Sequence, residues 1–156
     1  MRSVLRVLVA VTIVLTASSP VSAGSAHNAA GDDAYVETML FDTSVNDFQR
    51  AITTGDQWFD WTSDGCSAPL IGNTGRSFDF TRACKRHDFG YRNLHLLESR
   101  YGTGSTYWNS ADREQIDQQF LQDMKNHCHG RSILLKPTCY AWAEAFYRLV
   151  RLAGGP

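Results

Sequence analysis

The sequence predicts a mainly α-helical fold: a small disulfide-linked bundle in which two long antiparallel helices carry the functional groups. Three observations lead to this prediction. Apolar residues recur at helical spacing through most of the chain, and no segment shows the apolar–polar alternation that is typical of a half-buried strand. Four cysteines follow an N-terminus that resembles an export signal. Disulfides are therefore expected to reinforce a modest core.

The first 23 residues are predicted to be a signal peptide. Two arginines precede an apolar run from Val7 to Leu15, and Val21-Ser22-Ala23 offers small residues for cleavage. The run is too short to span a bilayer comfortably, which disfavours the alternative of a membrane anchor. Removing residues 1–23 from the 156 leaves residues 24–156. We expect these 133 residues to form a single secreted, extracellular domain.

The mature chain is predicted to begin with an N-terminal helical segment over residues 24–54. The small polar residues 24–33 indicate a loose lead-in, and a short helix is expected over Ala34–Phe41. Ser44, with Asp47 three residues later, resembles the capping box of a second helix, which the next glycine ends.

The remaining region, residues 55–156, is predicted to hold three long helices. An aromatic stretch comes first, followed by a loop rich in Gly, Pro and Asn over Ser63–Ser77. A proline in the first turn marks the start of the last helix. The helices are expected over Asp79–Glu98, Ala111–Cys128 and Tyr140–Leu152.

The charge balance does not favour a nucleic-acid partner. Residues 24–156 carry thirteen basic and sixteen acidic residues, a net charge of about −3. The chain is expected to act as a monomer.

The four cysteines permit three pairings, and sequence proximity favours Cys66–Cys84 and Cys128–Cys139. A zinc site is the alternative, because His127-Cys128-His129 looks like a set of metal ligands. Its spacing matches no usual zinc pattern, and an exported chain meets an oxidising environment. Two disulfides are therefore predicted.

Two polar residues fall on the apolar faces of their helices. At 100° per residue, His87 lies at the centre of the inward face of its helix, and Asp117 falls within the apolar stripe of the next. A buried carboxylate is costly unless it is paired, so the two are predicted to meet. Asp117 is expected to accept the Nδ1 hydrogen of His87 and to leave Nε2 as a base. A purely structural buried pair would explain the same angles equally well.

A second carboxylate site is predicted around Asp64-Gly65-Cys66. If Cys66 pairs with Cys84, this loop is tied one helical turn before Asp88. Two carboxylates and nearby carbonyls outside the cell suit Ca²⁺ better than zinc. Taken alone, Asp64 would read more simply as a turn residue.

These segments resemble the secreted prokaryotic and fungal phospholipase A2 family. The similarity lies in three segments: Asp64-Gly65-Cys66, the run from Cys84 to Asn93, and Gln115-Ile116-Asp117. The second of these contains Cys-x-x-His-Asp-Phe-Gly-Tyr. The similarity covers roughly residues 55–145. It implies that residues 55–156 are a phospholipase A2-like catalytic region. The implied activity is calcium-dependent hydrolysis of the sn-2 ester of glycerophospholipids, releasing a fatty acid and a lysophospholipid at a membrane or micelle surface.

The resemblance also implies a role for each site residue. His87 corresponds to the general base that activates water, and Asp117 to the carboxylate that orients it. Asp64 and Asp88 correspond to Ca²⁺ ligands through their side chains, and Gly65 through its backbone carbonyl. The glycine-rich calcium loop and the doubled cysteine of animal secreted phospholipases are absent, so the similarity is to the microbial type.

Tyr91 and Trp61 are the candidate residues of the substrate pocket. Tyr91 lies one turn beyond His87, and Trp61 stands near the loop aspartate, although a core position is the more ordinary one for an aromatic ring. Arg86 and Arg92 are expected to be exposed, facing lipid headgroups or solvent.

Two other functional classes compete with the phospholipase. One is a catalytically inactive secreted relative that binds lipid or a cell surface. The sequence argues against this class because it retains His87, Asp88, Asp64 and Asp117. The other is an unrelated secreted hydrolase, but the sequence contains neither a Gly-x-Ser-x-Gly elbow nor a His-Glu-x-x-His helix.

Overall fold

The computed structural model describes residues 27–66 and 78–153. In this part of the chain every regular element is a helix, and there is no strand. The predicted signal peptide, residues 1–23, and most of the predicted loop Ser63–Ser77 lie outside the described residues. The elements are α1 (Ala29–Glu37), a π-helical turn (Thr38–Asp42), α2 (Val45–Thr54), α3 (Thr81–Tyr101), α4 (Ser110–His129) and α5 (Lys136–Ala153).

The two longest helices, α3 and α4, run antiparallel, as the sequence predicts. His87 on α3 meets Asp117 on α4, and one turn further along α3, Tyr91 meets Arg113, one turn earlier on α4. Helix α5 then returns along α4, because a disulfide joins the end of α4 to the start of α5, and Arg113 contacts the far end of α5. Within the described residues, no helix combines the length and apolarity needed to cross a membrane.

The N-terminal helix begins earlier than predicted. Residues 24–33 were expected to be a loose lead-in, but Asn28 caps α1 by accepting a hydrogen bond from the Gly31 amide at 3.0 Å. Asp32 is buried and accepts hydrogen bonds from Trp58 Nε1 at 2.7 Å and the Tyr101 hydroxyl at 2.9 Å. For residues 29–33 the lead-in prediction is wrong, because partners distant in sequence stabilise a helix that its own polar residues do not favour. Residues 24–26 lie outside the described part of the chain.

The second helix follows its predicted boundaries. Ser44 accepts a hydrogen bond from the Asp47 amide at 3.1 Å, and its hydroxyl donates to the Asp47 carboxylate at 2.5 Å. The helix ends at Thr54, and Gly55 is its C-cap.

Two apolar clusters form the core, one on each side of the His87 region. The first contains both disulfides, which join Cys66 to Cys84 and Cys128 to Cys139, the two pairs that sequence proximity favours. The second brings α1, the π-helical turn and α2 against α3. Its buried members are Val36, Leu40, Phe48, Phe59, Phe89, Leu94, Leu97, Trp108 and Ile116.

Candidate active site

The centre of the site is the pair that the helical spacing predicts. His87 Nε2 lies 2.7 Å from Asp117 Oδ1, and the Asp117 side chain is completely buried. An ionised carboxylate only accepts hydrogen bonds, so Nε2 carries the ring hydrogen and Nδ1 is the basic nitrogen. The prediction that Nδ1 faces Asp117 is wrong. The helical angle fixes which face a histidine occupies, whereas the ring's own rotation decides which nitrogen meets its partner.

Three further side chains converge on the same carboxylate. Asp117 Oδ1 also accepts the Tyr91 hydroxyl at 2.8 Å, and Oδ2 accepts Arg151 Nη1 at 3.0 Å. Arg113 Nε lies 3.7 Å from Oδ2. Burial acts to raise the pKa of Asp117, but the hydrogen bonds from His87 and Arg151 hold that pKa below its ordinary value. The carboxylate therefore stays ionised and fixed.

The sequence interpretation missed both arginines. Arg113 precedes Asp117 by four residues on one helix, a spacing that places the two side chains together and that could have revealed it. Arg113 also donates to the carbonyls of Val150 at 2.9 Å and Arg151 at 2.7 Å, and so joins α4 to the last turn of α5. Arg151 offers no comparable pattern, because its contact with Asp117 exists only once α5 has packed back along α4.

Aromatic rings enclose the histidine. The ring centroids of Tyr91 and Phe120 lie 4.4 Å and 4.7 Å from that of His87. Burial raises the pKa of the Tyr91 hydroxyl to about 12, so this group remains a neutral donor to Asp117. Tyr91, a predicted pocket residue, thus contacts both members of the pair.

The structure does not bring Trp61, the other predicted pocket residue, to His87. Its ring lies 4.6 Å from Phe89 and 5.8 Å from Phe48, in the second apolar cluster. Phe89 projects about 200° around α3 from His87. The contacts of Trp61 are therefore those of a partly buried core residue.

The loop aspartate is positioned through the segment that precedes it. Asn93 on α3 is fully buried, and its side chain exchanges two hydrogen bonds of 2.8 Å with the backbone of Asp60. Ser63 then donates to Asp88 Oδ2 at 2.5 Å, and Cys66 is joined to α3 by its disulfide. The chain between these anchors carries the predicted metal ligands. The sequence interpretation assigned no role to Asn93.

The donor set of this loop fits calcium. Burial raises the pKa of Asp88, and the negative charge of Asp64 raises it further, although the Ser63 hydrogen bond opposes both. A buried carboxylate whose pKa is raised by a second carboxylate beside it is an arrangement that a bound cation stabilises. Gly65 turns the backbone at a φ of +77°, which favours glycine. Within residues 27–66 and 78–153, no three His, Cys, Asp or Glu side chains form a metal cluster, so backbone carbonyls would have to complete the ligand set.

Arg86 contradicts its predicted exposure. It is buried, and its Nε donates to Asp123 Oδ2 at 2.8 Å while its two terminal nitrogens contact Asp123 Oδ1 and the Thr43 carbonyl. The α3 face that carries Arg86 meets α4 and the end of the π-helical turn. Arg86 is therefore a structural residue between three elements and does not meet lipid.

Comparison with known proteins identifies the family of this chain. The model of the family "Prokaryotic phospholipase A2" matches residues 36–154. A secretory phospholipase A2 of Arthroderma benhamiae is 32% identical over 149 residues, covering 92% of this chain and 94% of that protein. A secretory phospholipase A2 of Beauveria bassiana is 40% identical over 96 residues, 62% of this chain but only 44% of that longer relative. The chain belongs to the prokaryotic phospholipase A2 family.

Proposed function

We propose that the protein hydrolyses the sn-2 ester of glycerophospholipids in a calcium-dependent reaction, releasing a fatty acid and a lysophospholipid. The observation that carries this proposal is the orientation of His87. Its Nε2 is held 2.7 Å from a buried, ionised Asp117, which leaves Nδ1 as the basic nitrogen. The next residue in sequence, Asp88, lies beside the loop that carries Asp64.

The chain's own groups supply the proton transfers. His87 Nδ1 removes a proton from the attacking water, and Asp117 stabilises the imidazolium that forms, because the carboxylate is already ionised and oriented. Tyr91 and Arg151 keep that carboxylate in place. The same Nδ1 then returns the proton to the departing glycerol oxygen, so the histidine ends the cycle neutral.

Asp64 and Asp88, with the Gly65 carbonyl, would hold Ca²⁺. When bound, the ion supplies a Lewis acid for the ester carbonyl and positive charge for the oxyanion and the phosphate. Adjacent residues on a helix point about 100° apart. Asp88 and His87 thus serve two neighbouring points, one for the metal and one for the water.

We also propose that the protein is secreted. Both fungal relatives are named secretory, and residues 1–23 have the charge and apolar pattern of a signal peptide. Residues 24–156 would then act as one domain on phospholipid in a membrane or micelle.

The histidine's role can be tested against a matched control on the same helix. His87→Asn should lower fatty-acid release from phosphatidylcholine by at least ~100-fold, because it removes the base. His95→Asn changes an exposed histidine two turns away and should leave the rate unchanged. Circular dichroism monitors folding. Full activity in folded His87→Asn would refute the assignment, and calcium binding without hydrolysis in the wild type would favour an inactive relative.

A further inference from the structure

Three consecutive aliphatic side chains project into solvent between α4 and α5. Ile133, Leu134 and Leu135, which we call the apolar tip, are 81%, 85% and 48% exposed. Single exposed leucines are common on protein surfaces, but adjacent large aliphatic residues at a loop apex usually mark an interaction site.

The backbone holds the apolar tip away from the core. The amides of Leu135 and Lys136 both donate to the Ser132 carbonyl, at 2.9 Å and 3.1 Å, and so close a tight turn. The disulfide Cys128–Cys139 clamps the base of this turn, and both cysteines are completely buried. Because the turn is fixed at both ends, docking would cost little additional chain entropy.

Basic residues border the apolar tip along the chain. Arg131 and Lys136 flank it directly, and no acidic residue occurs between Asp123 and Glu144. Asp123 is buried against Arg86, and Glu144 pairs with Lys125 at 2.8 Å. An apolar centre with basic flanks complements the acyl chains and headgroups of an anionic bilayer.

The apolar tip lies at the end of the bundle that also carries the Asp64 loop. The end of α4 meets the start of α3, since the rings of His127 and Phe80 lie 5.4 Å apart. The Arg131 guanidinium lies 5.9 Å from the Phe78 ring. The disulfide that anchors the Asp64 loop belongs to the same apolar cluster as the disulfide below the tip.

We propose that the apolar tip docks the protein on anionic phospholipid bilayers, with Ile133 and Leu134 among the acyl chains and Arg131 and Lys136 at headgroup level. The inference rests on the proposed phospholipase function, because a bilayer is the surface in which the substrate resides. Docking at this end would hold the Asp64 loop close to the lipid.

Binding can be measured without catalysis on ether-linked lipids, which have no ester to hydrolyse. Vesicles of equal parts ether-linked phosphatidylcholine and phosphatidylglycerol should bind the double variant Ile133→Ser/Leu134→Ser at least about tenfold more weakly than the wild type. Leu152→Ser is the matched control, because Leu152 is also 85% exposed but lies at the opposite end of α5. It should bind as the wild type does.

A charge variant tests the basic flank. Lys136→Gln should bind the mixed vesicles about fivefold more weakly and should leave the weaker binding to pure ether-linked phosphatidylcholine unchanged. Arg148→Gln, an exposed position elsewhere on α5, should alter neither affinity.

Two results would overturn the proposal. One is unchanged vesicle binding by the double variant. The other is a dimer of the wild type in sedimentation velocity that is absent in the double variant, which would assign the apolar tip to contact with a second copy of the chain.

Hydrolysis of a monodisperse short-chain phosphatidylcholine separates this proposal from the proposed function. The double variant should retain that activity, whereas a protein without phospholipase activity would lack it in every variant and could still bind vesicles.

Discussion

The Asp117 carboxylate on α4 receives hydrogen bonds from two other helices of the bundle. His87 and Tyr91 reach it from α3, and Arg151 reaches it from the last turn of α5. Since the side chain is fully buried, each donor both offsets the loss of solvation and restricts its rotation. We regard Arg151 as a positioning residue, because it acts on His87 through Asp117.

Replacing Arg151 should affect stability in a pH-dependent way. The folded-state pKa of Asp117 lies below its ordinary value, so the stabilisation is complete above the ordinary value and is lost as the pH falls through the folded one. Arg151→Gln should therefore reduce the free energy of unfolding by about 1 kcal/mol at pH 7 and by less at an acidic pH below the ordinary pKa of an Asp carboxyl, about 4. Urea unfolding at the two pH values checks this.

The kinetic consequence of Arg151→Gln separates positioning from simple stabilisation. We expect kcat to fall about threefold to tenfold at unchanged KM, because Asp117 keeps two of its donors. Arg148→Gln serves as the control, since it removes an exposed arginine from the same helix. A stability loss that is independent of pH, with kcat unaltered, would show that Arg151 does not act through Asp117.

At the scale of single residues, the sequence predicts that His87 and Asp117 form a pair but not which of their atoms meet. Helical spacing locates His87 and Asp117 on inward faces, because each residue advances a helix by a fixed angle. Side-chain rotation and contacts between distant segments have no such regularity. For that reason the ring nitrogen was wrongly predicted and Arg151 was missed.

Helix α3 packs closely against its neighbours at Gly90. A Cβ added at Gly90 would lie 2.9 Å from Leu40 Cδ2 and 3.0 Å from Ile116 Cγ2. Both neighbours are 1% exposed, so they have little room to move. The glycine therefore permits the close contact of α3 with α4 and the π-helical turn.

Gly90→Ala should destabilise the fold despite alanine's higher helix propensity. Overpacking is expected to outweigh the propensity gain, for a net loss on the order of 1 kcal/mol in the free energy of unfolding. Gly130→Ala is the control, because the nearest atom to its added Cβ is 3.7 Å away. Equal urea midpoints for Gly90→Ala and the wild type would contradict this account of the packing.

The buried pair of Arg86 and Asp123 fixes α3 to α4 and to the π-helical turn. Asp123→Asn leaves a buried guanidinium without its counter-ion and should cost about 3–5 kcal/mol. Glu144→Gln, which breaks the exposed pair with Lys125, should cost less than about 1 kcal/mol. Thermal unfolding compares the two, and equal losses would mean that burial does not set the strength of these pairs.

The helices that carry the candidate site were easier to predict than the helix before them. Helices α3 and α4 each show an apolar stripe over about five turns, which indicates helix type and inward face directly. Helix α1 has polar residues in its first turns, and its buried Asp32 depends on Trp58 and Tyr101. Its start is set by tertiary contacts that no local pattern reveals.

For the molecule as a whole, the two disulfides should differ in function more than in stability. They enclose segments of 18 and 11 residues. The reduced entropy of the unfolded chain predicts that each disulfide stabilises the fold by about 3 kcal/mol. Cys66→Ala/Cys84→Ala should also weaken calcium binding, because it releases the Asp64 loop from α3. Cys128→Ala/Cys139→Ala should lose similar stability and keep its calcium affinity. Isothermal titration with Ca²⁺ measures the difference, and equal affinities in the two double variants would argue against Asp64 as a ligand.

The central claim is calcium-dependent cleavage at the sn-2 position, and positional labelling tests it most directly. Phosphatidylcholine labelled separately in each acyl chain is incubated with the protein, once with Ca²⁺ and once with excess EGTA. The account predicts release of label from the sn-2 chain alone, and only with Ca²⁺. Release from the sn-1 chain, or equal release in EGTA, would contradict it.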